Sequence, residues 1–115
     1  MSMNQLSDER QAGAIPLIKT ATATLTIKEL LDYKMIRGAH ASTPIVLTLP
    51  APSSVPSGTE VRVINGGAQA VTVIDPVGYG GNASTKTITL ARGDMAILRW
   101  DGTYVYQTST ITATT

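Results

Sequence analysis

The chain has 115 residues, 43% of them hydrophobic, and nine Lys and Arg against eight Asp and Glu give a formal net charge of +1. This length fits one compact domain, because a single hydrophobic core typically serves about 100–200 residues. The nearly balanced charge provides no sustained field to attract nucleic acid or anionic lipid. The absence of cysteine excludes a disulfide scaffold, a thiolate metal site and a cysteine nucleophile.

The first 19 residues are predominantly polar and follow neither the period of a strand nor that of a helix, so we expect an extended N-terminal arm. They place polar and acidic residues where a signal peptide needs a basic end and an unbroken apolar run. No stretch of the sequence approaches the roughly 20 apolar residues of a membrane-spanning helix. These features predict a soluble protein made in the cytoplasm.

The pattern changes at residue 20, where TATATLTI places threonines on one side and Ala, Leu and Ile on the other, as in a β-strand. The next segment, KELLDY (residues 28–33), is long enough only for a turn or a short helix, and extended chain is expected again over residues 34–37. Further strands are predicted where β-branched and aromatic residues concentrate, at residues 45–49, 60–65, 71–75, 87–90, 94–100 and 103–107.

Turn residues separate these strands. Asp101 and Gly102 predict a tight hairpin between ILRW and TYVY, and Arg92 and Gly93 predict another between ITL and MAILRW. Turns about 8–12 residues apart, without a long helix, favour an all-β fold: a compact antiparallel β-sandwich or jelly-roll-like barrel with an extended N-terminal arm. The β-domain would span residues 20–107, and the Thr-rich residues 108–115 would form a tail or an edge strand.

Alternation along each strand predicts which side chains face the core. The inward set is Leu25, Ile27, Ile45, Leu47, Leu49, Val61, Val63, Val71, Val73, Ile88, Leu90, Ala96, Leu98 and Val105.

The residues that commonly carry chemistry are sparse. The one histidine, His40, lies in a small-residue segment without a second histidine, which favours a solvent-facing or hydrogen-bonding role over a metal ligand or general base. Gly78, Gly80 and Gly81 in VGYGGN are not followed by the helix with Lys and Ser or Thr that a phosphate-binding loop requires, so a flexible connection is predicted. We therefore expect a non-enzymatic protein with no catalytic residue, cofactor or metal site.

Four aromatic residues form the remaining candidate site. Trp100, Tyr104 and Tyr106 lie on the predicted closing hairpin, and Tyr79 lies in the glycine-rich loop. Packing between neighbouring strands is the favoured use of such residues. The alternative is a surface that stacks on sugar rings or anchors a protein interface.

Two long stretches resemble a pattern that recurs in virion surface proteins of tailed bacteriophages: TPIVLTLPAPSSVPSGTEVRVINGGAQAVTVIDPVG and TITLARGDMAILRWDGTYVY. The shared elements are an apolar strand ending in LPA, a Ser/Pro/Gly turn, a V-x-V-x-N strand, an AVTV strand, a T-L-x-x-G-x-x-A strand and a DG-x-Y hairpin, over about residues 20–107. For a chain of this size, the resemblance implies a capsid decoration (cement) protein, usually a symmetric oligomer such as a homotrimer.

Such a protein would be made in the host cytoplasm and bind the major capsid protein and copies of itself on the capsid surface, with no nucleic acid, membrane or cofactor. Its arm would add a strand to a neighbouring subunit, with Ile15, Leu17 and Ile18 as apolar anchors. The main alternative is a tail-fibre or receptor-binding module whose four aromatic residues face a host surface glycan. A small hydrolase is a third reading, and it requires a convergent acidic pair that the scattered acidic residues do not reveal.

Overall fold

The computed structural model describes residues 15–111, with side chains up to residue 107. The strands are β1 (Leu17–Lys19), β2 (Ala23–Thr24), β3 (Met35–Gly38), β4 (Ile45–Thr48), β5 (Glu60–Asn65), β6 (Val71–Ile74), β7 (Thr87–Leu90), β8 (Met95–Trp100) and β9 (Val105–Ile111). Helix α1 spans Ile27–Asp32, and 3-10 turns span Pro52–Ser54 and Tyr79–Gly81. Within the described part of the chain, no helix has the length and apolar character needed to cross a membrane.

The strands form two mixed sheets. The five-stranded sheet has the order β1-β3-β5-β8-β9, and the four-stranded sheet has the order β2-β4-β6-β7. Between residues 15 and 111, four strand pairs are parallel and three are antiparallel. The predicted β-rich fold is therefore confirmed, whereas the predicted antiparallel arrangement is wrong.

The parallel pairs arise because the chain alternates between the sheets from β1 to β6. Each strand is followed by one in the opposite sheet, so the chain re-enters the first sheet in its original direction, and β1, β3 and β5 run parallel. Turn residues indicate where a chain changes direction, but they do not determine whether the next strand pairs with the previous one. The hairpin predicted at Arg92 and Gly93 is wrong for this reason, since β7 and β8 belong to different sheets.

The second predicted hairpin is confirmed, because β8 and β9 pair antiparallel from Trp100 opposite Val105. Its loop covers residues 101–104 rather than two residues. The N–H of Asp101 donates to the carbonyl oxygen of Tyr104 (3.1 Å), and Gly102 has a φ of 94°. Glycine adopts this left-handed conformation without the steric cost that other residues incur.

Both sheets contribute side chains to one buried cluster. Thirteen of the fourteen predicted inward residues are buried, and Ile27 is half-buried and packs against the cluster. The core also contains Leu30, Ile36 and Val55, which the strand alternation did not identify. Leu30 lies on α1 and fills the core from the connection between β2 and β3.

Helix α1 explains why the strand predicted from TATATLTI is short. The Oγ1 of Thr26 accepts from the Glu29 N–H (3.1 Å), and the Glu29 carboxylate accepts from the Thr26 N–H (2.9 Å). This reciprocal capping box starts a helix directly after the threonine, at Ile27. The strand therefore ends at Thr24, and the predicted short helix is confirmed one residue earlier than expected.

The last residues of the predicted N-terminal arm belong to the folded domain. Residues 17–19 form β1, which pairs parallel with β3 at an edge of the five-stranded sheet. The rest of the arm, residues 1–14, lies outside the described residues. At the other terminus, residues 108–111 complete the edge strand β9, and residues 112–115 are again outside.

A buried asparagine links the two sheets. Asn65, at the end of β5, is fully buried, and its Nδ2 donates to the carbonyl oxygens of Gln69 (2.7 Å) and Leu90 (2.9 Å). Its Oδ1 accepts from the Gly67 N–H (2.9 Å). One side chain thus fixes the crossing from β5 to β6 and holds it against the end of β7.

Candidate functional site

The four aromatic residues have different environments. Tyr79 and Trp100 are buried, with 7% and 1% of their surface exposed, whereas Tyr104 is half-buried and Tyr106 is 42% exposed. Trp100 shares the inward alternation of β8, and the Tyr79 hydroxyl donates to the carbonyl oxygen of Val73 (2.9 Å). Tyr79 and Trp100 therefore contribute to the core, so of the four possible surface contacts only Tyr104 and Tyr106 reach the surface.

The glycine-rich loop supports the two remaining tyrosines. A β-carbon at Gly81 would lie 2.9 Å from the Tyr104 ring, and one at Gly80 would lie 3.3 Å from the Tyr106 ring. Both glycines have positive φ, 80° and 65°, so their backbone conformation also disfavours a side chain. This loop positions the Tyr104 ring of the β8–β9 loop and the Tyr106 ring of β9, a role that the sequence alone did not suggest.

An open groove lies at the end of β8 beside Tyr106. Its volume is about 260 Å³, and it is lined by Ser57, Gly58, Arg99, Trp100, Asp101 and Tyr106. We call it the Tyr106 groove. Arg99 and Tyr106 are directly paired across β8 and β9, which places both side chains on the outer face of the five-stranded sheet.

The loop after the first 3-10 turn forms the other side of the Tyr106 groove. The Gly58 N–H donates to the carbonyl oxygen of Trp100 (2.8 Å), and the Trp100 N–H donates to that of Thr59 (2.9 Å). These bonds bring Ser57 next to the β8–β9 loop, where a β-carbon at Gly102 would lie 3.4 Å from it. Ser57 and Asp101 are 44 residues apart in sequence, so turn and strand signals could not reveal this contact.

Asp101 is a fixed, ionised group of the groove. Its Oδ1 accepts from the N–H groups of Tyr104 (2.7 Å) and Thr103 (2.8 Å), and these hydrogen bonds lower the pKa of the Asp101 carboxyl. The negative charge of Asp101 raises the pKa of Tyr106. At neutral pH the groove therefore contains a carboxylate and a neutral phenol.

The indole Nε1 of Trp100 is buried and has no hydrogen-bond partner among the described residues. A buried donor without an acceptor typically costs about 1–3 kcal/mol. Such groups are uncommon in folded proteins and often mark a place where water or a ligand binds.

Exposed apolar residues lie at the start of the described chain. Ile15 and Ile18 are 56% and 53% exposed, while Leu17 is half-buried and packs against the core. Of the three predicted anchors, Ile15 and Ile18 are thus exposed, and Leu17 contributes to the fold of its own chain.

Ile18 belongs to a larger surface. The register places Ile18, Arg37, Ile64 and Met95 side by side on β1, β3, β5 and β8. Arg62 and Arg99 lie on the same outer face, and the three arginines are exposed. In residues 15–107 the ion pairs are Lys19–Glu29 and Lys28–Asp32, so none of these arginines has a carboxylate partner there. We call this surface the arginine face.

His40 has the hydrogen-bonding role predicted for it. Its Nδ1 accepts from the N–H groups of Ser42 (3.1 Å) and Thr43 (2.9 Å). These donors assign the ring proton to Nε2. Within the described residues, no three His, Cys, Asp or Glu side chains are grouped so that they could hold a metal ion.

Comparison with family models, with curated proteins and with solved structures finds no match to this chain.

Proposed function

We propose that the chain is a non-enzymatic structural protein of a tailed-phage virion, a capsid decoration protein that binds the major capsid protein and stabilises the shell. Its two sheets would form a β-sandwich. The observation that most supports this role is the arginine face, where arginines without an ion-pair partner among the described residues lie together with the exposed Ile18 of the edge strand β1.

The arginine face has the mixed chemistry of a protein-binding surface. Arginine is enriched in interfaces because its flat guanidinium packs on apolar groups and also binds carboxylates in a bidentate manner. Complete burial of an exposed side chain of this type contributes about 1.5–3 kcal/mol to an interface. Ile18 is half exposed, so part of that contribution is available to a partner. Several such contacts, repeated over many copies, would hold a small protein on a shell.

The edge strand β1 provides a second means of attachment. Among the described residues it pairs with β3 on one side only, and it lies within the predicted arm of residues 1–19. An arm that adds to an unpaired strand edge of a neighbour completes backbone hydrogen bonds and gains order on binding. We propose that residues 1–19 make these contacts between copies of the chain, as a homotrimer, and with the shell.

The test is co-sedimentation of the purified chain with undecorated phage shells. Ile18→Asp on the arginine face should weaken binding at least tenfold, since it places a charge in an apolar contact. Thr89→Asp is the matched control, because Thr89 is exposed on β7 at an edge of the four-stranded sheet. Equal binding by the two variants, or undiminished binding after deletion of residues 1–14, would overturn the proposal.

A tail-fibre or receptor-binding module is the second candidate function, and the Tyr106 groove favours it. An exposed ring beside a carboxylate and a guanidinium suits recognition of a host glycan more than adhesion to a shell. Immunogold labelling of virions distinguishes the two functions, since label on the head supports decoration and label confined to the tail supports receptor binding.

A further inference from the structure

We propose that the Tyr106 groove binds a neutral hexose unit of a glycan. This activity goes beyond attachment to a shell, because the groove lies at the end of β8, whereas the proposed shell contacts centre on β1 and share only Arg99 with the groove. The binding site is inferred from the geometry of the groove, so the inference does not depend on whether the chain sits on the head or on the tail.

The exposed ring of Tyr106 is held in place before a ligand arrives. It approaches Gly80, whose β-carbon would lie 3.3 Å away, and it lines the same groove as Asp101. With 42% of the residue exposed, the ring offers an apolar surface to the C–H face of a sugar. A side chain that is already fixed loses little conformational entropy on binding, which favours affinity.

The polar groups around Tyr106 match the hydroxyls of a sugar. Arg99 supplies only donors, Asp101 supplies only acceptors, and the Ser57 hydroxyl can do either. Adjacent sugar hydroxyls each donate and accept, so they can pair with both charged groups. The charges of Arg99 and Asp101 cancel, and a neutral ring therefore fits better than an acidic or an amino sugar.

The size of the groove limits the ligand. At about 260 Å³ it is slightly smaller than the roughly 300–1,000 Å³ of pockets for drug-sized ligands. It therefore suits one sugar ring, with the rest of a chain extending into solvent. We expect weak binding by a single unit and tighter apparent binding by an oligomer that displays several grooves.

The experiment is a titration of the ¹⁵N-labelled full chain, followed by amide chemical shifts. The probes are the methyl glycosides of glucose, galactose and mannose, with methyl glucuronide as the acidic comparison. The proposal expects saturable shifts, centred on residues 57–58, 99–101 and 106, with at least one neutral hexoside. Absence of saturable shifts with all three, or tighter binding of the glucuronide, would overturn it.

Variants separate a sugar site from a nonspecific effect. Tyr106→Ala and Arg99→Gln should each weaken hexoside binding at least tenfold. Arg62→Gln, an exposed arginine on the same sheet face but outside the groove, should bind like the parent chain. Tyr106→Phe keeps the ring and should retain most of the binding, and unchanged thermal unfolding confirms that the variants fold.

Equal loss in Arg62→Gln and Arg99→Gln would contradict a localised site. Shell co-sedimentation of Tyr106→Ala gives an independent readout. We expect it to equal that of the parent chain, so the failure of sugar binding and the failure of shell binding can be recognised separately.

Discussion

The two sheets have similar inner faces but different outer faces. Inside, both present aliphatic side chains to one core. Outside, the five-stranded sheet carries arginines, aliphatic residues and Tyr106, whereas threonines dominate the paired positions of the four-stranded sheet. Those threonines are Thr24, Thr48, Thr72, Thr87 and Thr89.

The difference separates the sheet that carries the candidate binding surfaces from the sheet that does not. Threonine favours strands through its branched β-carbon, and its short uncharged side chain provides little area or charge for a partner. Thr22 stabilises its own sheet, because its Oγ1 accepts a hydrogen bond from the Val46 N–H (3.0 Å). We conclude that the four-stranded sheet chiefly completes the fold, while the five-stranded sheet carries the candidate sites.

The largest expected effect is on the free energy of unfolding, and it tests whether the inner faces of both sheets support the core. Leu98→Ala in the five-stranded sheet and Leu47→Ala in the four-stranded sheet both empty fully buried positions. Each should lower the free energy of unfolding by about 3 kcal/mol, through lost burial and the cavity left behind. Urea denaturation measures both. A cost below about 1 kcal/mol at either position would show that only one sheet supports the core.

The next effect tests the link between the sheets. Asn65→Ala removes a side chain that makes three hydrogen bonds to backbone groups of residues 67, 69 and 90. We expect a loss of about 2 kcal/mol, because buried backbone groups become unpaired. Thr72→Ala, on the half-buried outer face of β6, should cost less than about 0.5 kcal/mol. Equal effects in urea denaturation would rule out a linking role for Asn65.

A smaller effect isolates the contact between the glycine-rich loop and Tyr104. Gly81→Ala introduces a β-carbon 2.9 Å from the Tyr104 ring at a φ of 80°. Gly58→Ala has a similar φ of 88° but no neighbour within 4 Å, so it reports the backbone strain alone. We expect Gly81→Ala to cost about 1 kcal/mol more than Gly58→Ala in thermal unfolding. Matching costs would show that the ring moves aside freely.

The smallest effect concerns a buried carboxyl after β6 of the four-stranded sheet. Burial raises the pKa of Asp75, although the N–H groups of Gly78 and Val77 partly oppose it, and its Oδ1 has no partner among the described residues. The folded chain therefore binds this proton more tightly than the unfolded chain. Stability from this group is full below the usual pKa of Asp and falls as pH rises through the raised value.

Asp75→Asn removes this titration and keeps an oxygen for the Gly78 N–H, which now donates to Oδ2 (2.8 Å). The stability of the variant relative to the parent should therefore increase from acid to neutral pH. Urea denaturation across that range measures the difference. A difference that is constant with pH, or that decreases, would contradict a destabilising charge at Asp75.

Strand alternation predicted most of the core because it depends only on the sequence of each strand. The same parity that placed Ala96 and Leu98 inside also applies to Trp100, so its burial could have been predicted. The pairing of the strands could not be predicted, because alternation and turn residues do not specify which sheet contains the next strand. The contact of Ser57 with the β8–β9 loop likewise depends on the tertiary fold.

The most direct test of the central claim is a cryo-electron microscopy reconstruction of a phage shell decorated with this chain. The proposed function predicts density on the head in which the arginine face and β1 contact the major capsid protein, while the threonine-rich face points to solvent. Contact through the threonine-rich face, or density found only on the tail, would contradict it.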